Sequence, residues 1–439
     1  MNFLRQIGFF TLSLALTALL VSLGVPVLSQ APEDIIPPCY NAQELAKVRE
    51  WEKTWVGKKV NYAMVDQVKD LLPEPCVTIL KEPQKWGAKD IWFEVVPYRY
   101  CAPTKGVLEA TKKYSPMAKF SPKGFKTTWG EVYPNEFLEG YEKGDLAGFP
   151  FPKAKTGLEM VWNYNSITFG DNHYKEISGE VVNARTGAER HALQPQYYMY
   201  WTGRTDVAPI PRIEPNPKGI HKSLYQTLLE PADMYGTNFL DITYADPRKE
   251  NDMYIWVAMY RRIRKMTTSQ RGDTIDGSDQ SYCDQEGFAD QINRNTYKFI
   301  ELKDMLACRH QDIKNFAKVH GQSYFSGFQR ERCKLYLIEV TPKAKDHIYT
   351  KELWYLDAET WQMLYKQMWD HQGKLWRYLD EQIAYLNSEQ GVLTPFIAAY
   401  SYSDMQRLHG GPNIHRNPKI GLPLKTDMFT VQYLQKSGY

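Results

Sequence analysis

The sequence has no large excess of charge of either sign. Lysine and arginine number 54 against 51 aspartates and glutamates, which leaves a formal net charge of +3 over 439 residues. Proteins that bind nucleic acid concentrate basic charge on one face, and this balance does not favour such a face. Long apolar runs are scarce as well, since no stretch after residues 7–23 could cross a bilayer. The sequence therefore predicts neither a nucleic-acid partner nor a transporter with several membrane spans.

Motifs of catalysis and metal binding are absent. The chain has no G-x-S-x-G elbow, H-E-x-x-H, Walker loop or G-x-G-x-x-G, and its nine histidines are scattered. It also lacks a C-x-x-C pair, which argues against a zinc knuckle and against a covalently attached c-type haem. We therefore expect no enzyme, no catalytic residue, no cofactor and no metal. A hydrolase whose catalytic groups lie far apart in sequence stays open as an alternative.

The first 31 residues have the features of a secretory signal peptide. Arg5 precedes the apolar run of residues 7–23, and small residues at positions 29 and 31 provide a cleavage site. Cys39 follows an isoleucine and two prolines, whereas a bacterial lipoprotein signal needs small residues before its cysteine. We expect export to the periplasm without lipid attachment, and association with the outer membrane stays open. An uncleaved membrane anchor is the alternative.

All six cysteines lie after the predicted signal peptide. Disulfide bonds are the default in an oxidising compartment, so we expect at least two, with the pairing left open. The candidates are Cys39, Cys76, Cys101, Cys283, Cys308 and Cys333.

Aromatic residues are abundant, with 12 Trp, 30 Tyr and 18 Phe. Aromatic side chains are enriched in β-strands. They also suit a large amphipathic cavity or an adhesive surface. Both interpretations stay open at this point.

The N-terminal part predicts helices followed by irregular structure. Asn41 and Glu44 form a capping-box pattern at the start of a helix, and residues 65–72 predict a second short helix. The segment Gly148–Pro152 contains two prolines, which remove backbone donors and exclude a central strand. We place a boundary there, between an N-terminal region (residues 32–152) and a β domain (residues 153–439).

The remainder of the chain predicts antiparallel strands joined by short turns. The fold class is therefore mainly β (α+β), with one large antiparallel sheet. The predicted strands cover residues 91–98, 157–164, 194–203, 253–260, 334–341, 348–356, 361–369, 374–379 and 428–434.

A set of short motifs lies between residues 241 and 379. These motifs are Trp256–Arg264, Gly272–Asp273, Gly277–Asp279, Asp284, Leu337–Lys343, Trp354–Asp357 and Trp369–Leu375. Together they resemble the pattern of the outer-membrane lipoprotein-sorting-like periplasmic family. Gly148–Pro152 and Leu158–Asn163 further resemble a longer, largely uncharacterised branch of that family.

The resemblance implies a lipoprotein-carrier-like fold, in which helices cover the concave face of a curved, unclosed antiparallel sheet, or half-barrel. In relatives, the cavity holds acyl chains or other hydrophobic cargo. The longer branch is associated with transporters of the resistance-nodulation-division superfamily. The implied partners are therefore a hydrophobic or lipid-like molecule and a transporter of that type or an outer-membrane protein.

A basic strand and an acidic loop are close in sequence. The basic strand carries Arg261, Arg262 and Arg264, and the acidic loop carries Asp273, Asp279 and Asp284. We expect ion pairs between the two segments that pin the loop to the strand. Docking of a partner or contact with lipid headgroups is the alternative.

Strand alternation selects side chains that would face the cavity. In residues 334–341, the face without a charge is the inward candidate, and the following hairpin offers a matching apolar set. The candidates are Tyr336, Ile338, Val340, Trp354, Leu356, Leu364 and Met368. Each of these residue types is more common in a packed core than at a ligand.

The sequence thus predicts a non-enzymatic periplasmic protein. It would bind a hydrophobic, lipid-like molecule in a half-barrel cavity and exchange it with envelope transport partners. The alternative is a structural or interaction protein of the outer membrane whose core is filled by its own side chains.

Overall fold

The computed structural model describes residues 35–128, 130–133, 136–275, 277–313 and 322–438. The predicted signal peptide lies outside these residues. Seventeen strands and five α-helices occur in the described part of the chain. The helices are α1 (Ala42–Trp55), α2 (Glu74–Lys81), α3 (Lys105–Tyr114), α4 (Gly157–Asn165) and α5 (Val431–Lys436). The strands are β1 (Lys59–Val60), β2 (Phe93–Val96), β3 (Phe125–Lys126), β4 (Val132–Tyr133), β5 (Asn172–Asn183), β6 (Gly187–Tyr200), β7 (Ile220–Thr227), β8 (Asn238–Tyr244), β9 (Asp252–Val257), β10 (Arg262–Met266), β11 (Asn295–Ala307), β12 (Phe328–Pro342), β13 (Lys351–Asp357), β14 (Met363–Trp369), β15 (Leu375–Asn387), β16 (Leu393–Asp404) and β17 (His409–Ile420).

Fifteen of these strands form one sheet. Their order is β1-β2-β12-β13-β14-β15-β16-β17-β5-β6-β7-β8-β9-β10, and β11 also pairs with β12. Strand β2 runs parallel to β12, whereas the other neighbours are antiparallel. Among the described residues, no pairing joins the two ends of this order, so the sheet is open. The predicted mainly β class with one large, unclosed antiparallel sheet is confirmed.

We call strands β12–β15 the first half of the sheet and strands β16, β17 and β5–β9 the second half. One face runs continuously through both halves, and we call it the inner face. Ile338 of β12, Trp354 of β13 and Lys366 of β14 are direct cross-strand partners on this face. The row continues through Leu379 of β15 to Tyr402 of β16. Because side chains alternate along a strand, residues two positions away from each of these share the inner face.

In the second half of the sheet, the inner face carries polar side chains. Gln196 of β6 pairs with Gln226 of β7, which pairs with Phe239 of β8. Leu224, two residues before Gln226, pairs with Asp241 of β8. This half of the inner face therefore carries uncharged amides beside apolar side chains, whereas the first half places Trp354 beside the buried Lys366.

Different segments cover the two faces. On the inner face, Phe288 packs against Trp354 with ring centroids 4.8 Å apart, and Tyr164 of α4 packs against Trp354 at 5.8 Å. On the opposite face, Tyr433 of α5 packs against Tyr225 of β7 at 5.3 Å. Residues 284–292 and α4 thus close the inner face over β13, and α5 covers the outer face over β7.

The prediction of a strand at residues 157–164 is wrong, because this segment is helix α4. Thr156 accepts a hydrogen bond from the backbone N–H of Glu159, and the Glu159 carboxylate accepts one from Thr156 in return. This capping box satisfies helix-terminal donors and outweighs the strand propensity of the valine and aromatic residues in the segment.

Two further elements differ from their predicted secondary structure. Residues 428–434, expected to be a closing strand, belong to a 3₁₀ turn at Thr426–Phe429 and to α5. Thr430 caps α5 by accepting from the Tyr433 backbone N–H at 3.1 Å. Residues 65–72 form two short 3₁₀ helices rather than one amphipathic helix.

Most other predicted strands are confirmed. The capping box of α1 is present, since Asn41 accepts from the backbone N–H groups of Gln43 and Glu44. The turn between β14 and β15 is also present, with Gly373 at a positive φ of 72° that favours glycine. The division of the chain at Gly148–Pro152 stays a prediction, although β1 and β2, which precede it, belong to the large sheet.

Candidate ligand-binding cavity

The inner face of the second half of the sheet borders a cavity. It contains about 900 Å³ of space, part of it open to solvent, between strands β5–β9, β16 and β17 on one side and Ile275 and residues 278–285 on the other. We call residues 278–292 the covering segment. Its apolar lining comes from Ile177, Val181, Leu224, Phe239, Met253 and Ile275. We call this space cavity A.

Cavity A also has a row of amide side chains. Gln194, Gln196 and Gln226 project from adjacent strands, and the Gln196 Nε2 donates to the Gln226 Oε1 at 2.8 Å. Gln280, from the covering segment, accepts from the Tyr400 hydroxyl at 3.0 Å. The lining is therefore amphipathic, as expected for a site that takes an apolar body with a polar group.

A second space, cavity B, adjoins cavity A on the same face. It contains about 1070 Å³ of unfilled space and is lined by several aromatic rings, among them Tyr164, Tyr198 and Tyr200. Leu224, Asp241 and Gln285 line both cavities. The two spaces therefore meet at one point on strands β7 and β8, beneath the covering segment.

Asp284 anchors the covering segment to side chains of both halves of the sheet. Its carboxylate accepts from Lys366 Nζ at 2.6 Å, from the Tyr349 hydroxyl at 2.5 Å and from the Tyr402 hydroxyl at 2.7 Å. Burial opposes ionisation of Asp284, but Lys366 and Arg377 hold its pKa below the usual range. The segment is therefore fixed by a charged, fully buried contact.

Glu286 forms a second buried contact two residues further on. It pairs with Lys175 of β5, and Lys222 of β7 lies with its Nζ 4.0 Å from the Glu286 carboxylate. Burial opposes ionisation, yet Lys175 and Lys222 lower the pKa of Glu286 to about 2.

Burial and the nearby Glu286 charge raise the pKa of Glu381 to about 8, so this inner-face carboxyl is protonated at neutral pH.

The predicted ion pairs between the basic strand and the acidic loop are absent from the described residues. Arg261, Arg262 and Arg264 are exposed on or beside the edge strand β10, and Asp273 is exposed as well. Asp279 pairs with His409, and Asp284 pairs with Lys366. The prediction is wrong in its partners, because the loop folds over the inner face and reaches cations there instead.

The predicted cavity residues lie in the first half of the sheet. Six of them are fully buried, namely Ile338, Val340, Trp354, Leu356, Leu364 and Met368. Tyr336 is half-buried and stacks on Trp361 at 4.9 Å. None of the seven lines cavity A or B, because α4 and residues 284–292 cover their face. Ligand contact by these residues stays a prediction.

Sequence reasoning missed the residues that do line the cavities. Leu224, Gln226, Phe239 and Asp241 lie on β7 and β8, which the sequence analysis did not predict as strands. In β8, apolar and polar residues alternate from Leu240 to Tyr244, a signal that could have identified this strand, whereas β7 has no such alternation.

The six candidate disulfide cysteines are free thiols in the structure. Five of them are buried and Cys39 is half-buried. Burial raises the pKa of the Cys76 thiol to about 11, which disfavours the reactive thiolate. The expected disulfide bonds are therefore not confirmed.

Within the described residues, no group of three or more histidine, cysteine or carboxylate side chains is arranged to hold a metal ion. None of the helices in that part of the chain is long and apolar enough to span a membrane.

An open antiparallel sheet with an amphipathic cavity on its inner face defines the structural class of the molecule. Residues 59–435 match the family described as protein of unknown function (DUF1329), and the chain belongs to this family. The predicted membership in the longer, uncharacterised branch is thereby confirmed.

Relatives of the chain have low sequence identity to it. It is 24% identical over 272 residues to the uncharacterised protein PA3922 of Pseudomonas aeruginosa, a match that covers 56% of each chain. The match thus spans little more than half the length of that curated relative.

Three solved structures are also similar. One is a domain from Vibrio parahaemolyticus described as an outer membrane lipoprotein-sorting protein (TM-score 0.47, 14% identity, 64% of this chain and 98% of that one). Another is a DUF1329 protein of Desulfovibrio piger (TM-score 0.46, 14% identity, 63% and 97%). The third is a LolA superfamily protein of Nitrosomonas europaea (TM-score 0.40, 12% identity, 64% and 100%).

Proposed function

We propose that the protein is a non-enzymatic carrier of the periplasm that binds a hydrophobic, lipid-like molecule in cavities A and B. The observation that carries this proposal is the amphipathic space beneath the covering segment, about 900 Å³ in cavity A and about 1070 Å³ in cavity B, with part of each volume open to solvent. Each Å² of apolar ligand surface that is removed from water in such a space contributes about 25 cal/mol to the free energy of binding.

The inner face of the first half of the sheet favours a structural role for β12–β15. Trp354, Leu356 and Met368 are fully buried beneath residues of the same chain. This part of the inner face fits the alternative of a self-filled structural core. The carrier proposal therefore assigns ligand binding to β5–β9, β16 and β17 and a supporting role to β12–β15.

Exchange of the ligand needs a surface that meets the envelope partner. The turn between β9 and β10 exposes Met259 and Tyr260, which are 73% and 65% exposed. Arg261, Arg262 and Arg264 are exposed directly after them. Apolar side chains beside several cations match an anionic membrane surface, and we assign docking on the acceptor membrane to this turn. A transporter of the resistance-nodulation-division type or an outer-membrane protein is the proposed protein partner.

A cavity-filling variant tests the binding proposal. Ala192 lines cavity A, and Ala192→Phe places a ring in the space assigned to the ligand. We expect a fluorescent hydrophobic probe, 1-N-phenylnaphthylamine, to bind the wild type and to bind Ala192→Phe at least about tenfold more weakly. The matched control is Ala188→Phe at the exposed end of the same strand, which should bind as the wild type does. Equal binding by all three proteins, or no binding to the wild type, would contradict the proposal.

A further inference from the structure

We propose that the cavities select an uncharged, hydroxyl-bearing amphiphile and reject the corresponding carboxylate, and that Asp241 makes this selection. The inference rests on the proposed carrier function and adds the class of ligand. It starts from the place of Asp241 in the sheet and from its lack of a side-chain partner.

Asp241 lies where the internal spaces meet. It is on β8, between Leu224 of β7 and Met253 of β9, both of which line cavity A. Its side chain lines cavity A, cavity B and a third space of about 450 Å³ near Arg271. A ligand that occupies either large cavity therefore reaches this carboxyl group.

Asp241 has no side-chain hydrogen bond or ion pair with the other described residues, in contrast to two acids of the covering segment. Asp284 is held by Lys366, and Glu286 is held by Lys175. Asp241 is half-buried. A carboxylate that is partly removed from water and has no strong donor favours a donor that a ligand supplies.

The charged groups that face Asp241 are engaged elsewhere. Lys222 of β7 lies 4.0 Å from Glu286, and Arg271 forms an ion pair with Asp290. Asp252 of β9 adds a negative charge. Burial raises the pKa of Asp241 to about 6, and Lys222 and Arg271 offset this effect in part. The group is therefore ionised at pH 7.5 and can accept a hydrogen bond.

The chemistry of the ligand follows from this arrangement. A hydroxyl donates to an ionised carboxylate in a short, charge-assisted hydrogen bond. A ligand carboxylate at the same position brings two like charges together beside a half-buried aspartate, which is unfavourable. The nearby Gln196, Gln226 and Gln285 amides provide neutral donors and acceptors that suit an uncharged polar group.

The test compares two ligands with the same chain length. 1-Decanol and decanoate, both below their critical micelle concentrations, compete with bound 1-N-phenylnaphthylamine at pH 7.5. We expect the wild type to bind decanol at least about tenfold more tightly than decanoate, the size of discrimination that one buried polar contact provides. In Asp241→Asn, decanoate should gain at least about fivefold and the ratio should approach one. Asp241→Ser, a second neutral variant, should behave in the same way.

Asp66→Asn is the matched control, since Asp66 is on the surface and pairs with Lys81. Its decanol-to-decanoate ratio should equal that of the wild type. Equal affinities in the wild type, or a ratio that both Asp241 variants leave unchanged, would overturn the selection by Asp241 while the carrier function stands. Displacement of the probe by neither ligand in any protein would overturn the carrier function itself.

Discussion

At the scale of single residues, the buried charges of the inner face have specific partners. Lys366 is fully buried and contacts both Asp284 and Glu352, at 2.6 and 3.0 Å. Burial opposes its charged form, but the two carboxylates raise the pKa of Lys366 above its ordinary value. A lysine in this setting has a structural role, because it compensates two acids that would otherwise be buried alone.

Replacement of this lysine should destabilise the protein strongly. Lys366→Met leaves Asp284 and Glu352 without their cation, and we expect the free energy of unfolding to fall by about 3–5 kcal/mol in urea titrations. Lys374→Met, at an exposed position in the next turn, should change it by less than about 0.5 kcal/mol. A loss below about 1 kcal/mol for Lys366→Met would show that the buried contact is not formed.

Because of Glu381, the free energy of unfolding should fall as the pH rises from about 4.5 to 8, whereas an ordinary ion-paired acid makes it rise with pH. Burial and Glu286 raise its pKa from 4.5 to about 8, so the folded state retains a proton that the unfolded state loses above about pH 4.5. This penalty on folding grows as the pH rises from about 4.5 towards 8. Glu381→Gln removes it, and we expect the variant to be about 1–3 kcal/mol more stable than the wild type at pH 8 and similar to it at pH 4.

The measurement is urea unfolding of both proteins at the two pH values. Glu389→Gln, at an exposed site, is the control and should follow the wild type throughout. A Glu381→Gln variant that is no more stable than the wild type at pH 8 would contradict the raised pKa.

At the scale of elements, the exposed turn between β9 and β10 should act in docking and not in binding. Substitution of Arg261, Arg262 and Arg264 by glutamine removes three exposed cations that have no ion pair among the described residues. We expect transfer of bound probe to vesicles containing phosphatidylglycerol to slow at least about fivefold, with unchanged probe affinity, since each cation near an anionic surface contributes about 1 kcal/mol.

Substitution of Lys105, Lys112 and Lys113 in α3 is the charge-matched control and should leave the transfer rate unchanged. An equal slowing by both triple variants would mean that net charge alone matters. A triple arginine variant that transfers at the wild-type rate would remove the docking assignment.

The elements also show what sequence could predict and why the rest escaped it. The hairpins β12–β13 and β14–β15 were predictable because aromatic and β-branched residues alternate between clear turn residues. Helix α4 was not, since its capping box at Thr156 and Glu159 outweighed a strand-like composition. The acidic loop was identified, but its partners Lys366 and His409 are distant in sequence, and spacing carries no information about them.

The position of the cavity was not predicted, for a related reason. Alternation correctly placed Ile338, Trp354 and Met368 on one face of the sheet. It could not indicate that residues 284–292 and α4 fill the space over that half, because such coverage depends on tertiary packing. The open space lies instead over β5–β9, where Gln196, Leu224 and Asp241 were not singled out.

At the scale of the whole molecule, the two halves of one sheet differ in what covers their inner face. Its first half is packed on the inner face by side chains of the same chain, with Trp354 fully buried at the centre. Its second half borders cavities A and B, with the buried Asp284 and Glu286 contacts fixing the segment between them. The contact of Asp284 with β14 and the contacts of Glu286 with β5 and β7 thus hold the covering segment over the half assigned to the ligand.

A carrier must hold cargo in these cavities. The direct measurement is mass spectrometry of an organic-solvent extract of the mature protein, purified without detergent or lipid washing. We predict a reproducible lipid-like species close to one per protein molecule from the wild type and from Ala188→Phe, and its loss from folded Ala192→Phe. A clean extract from the wild type, or the same species at the same level from Ala192→Phe, would contradict a carrier that binds its ligand in cavity A.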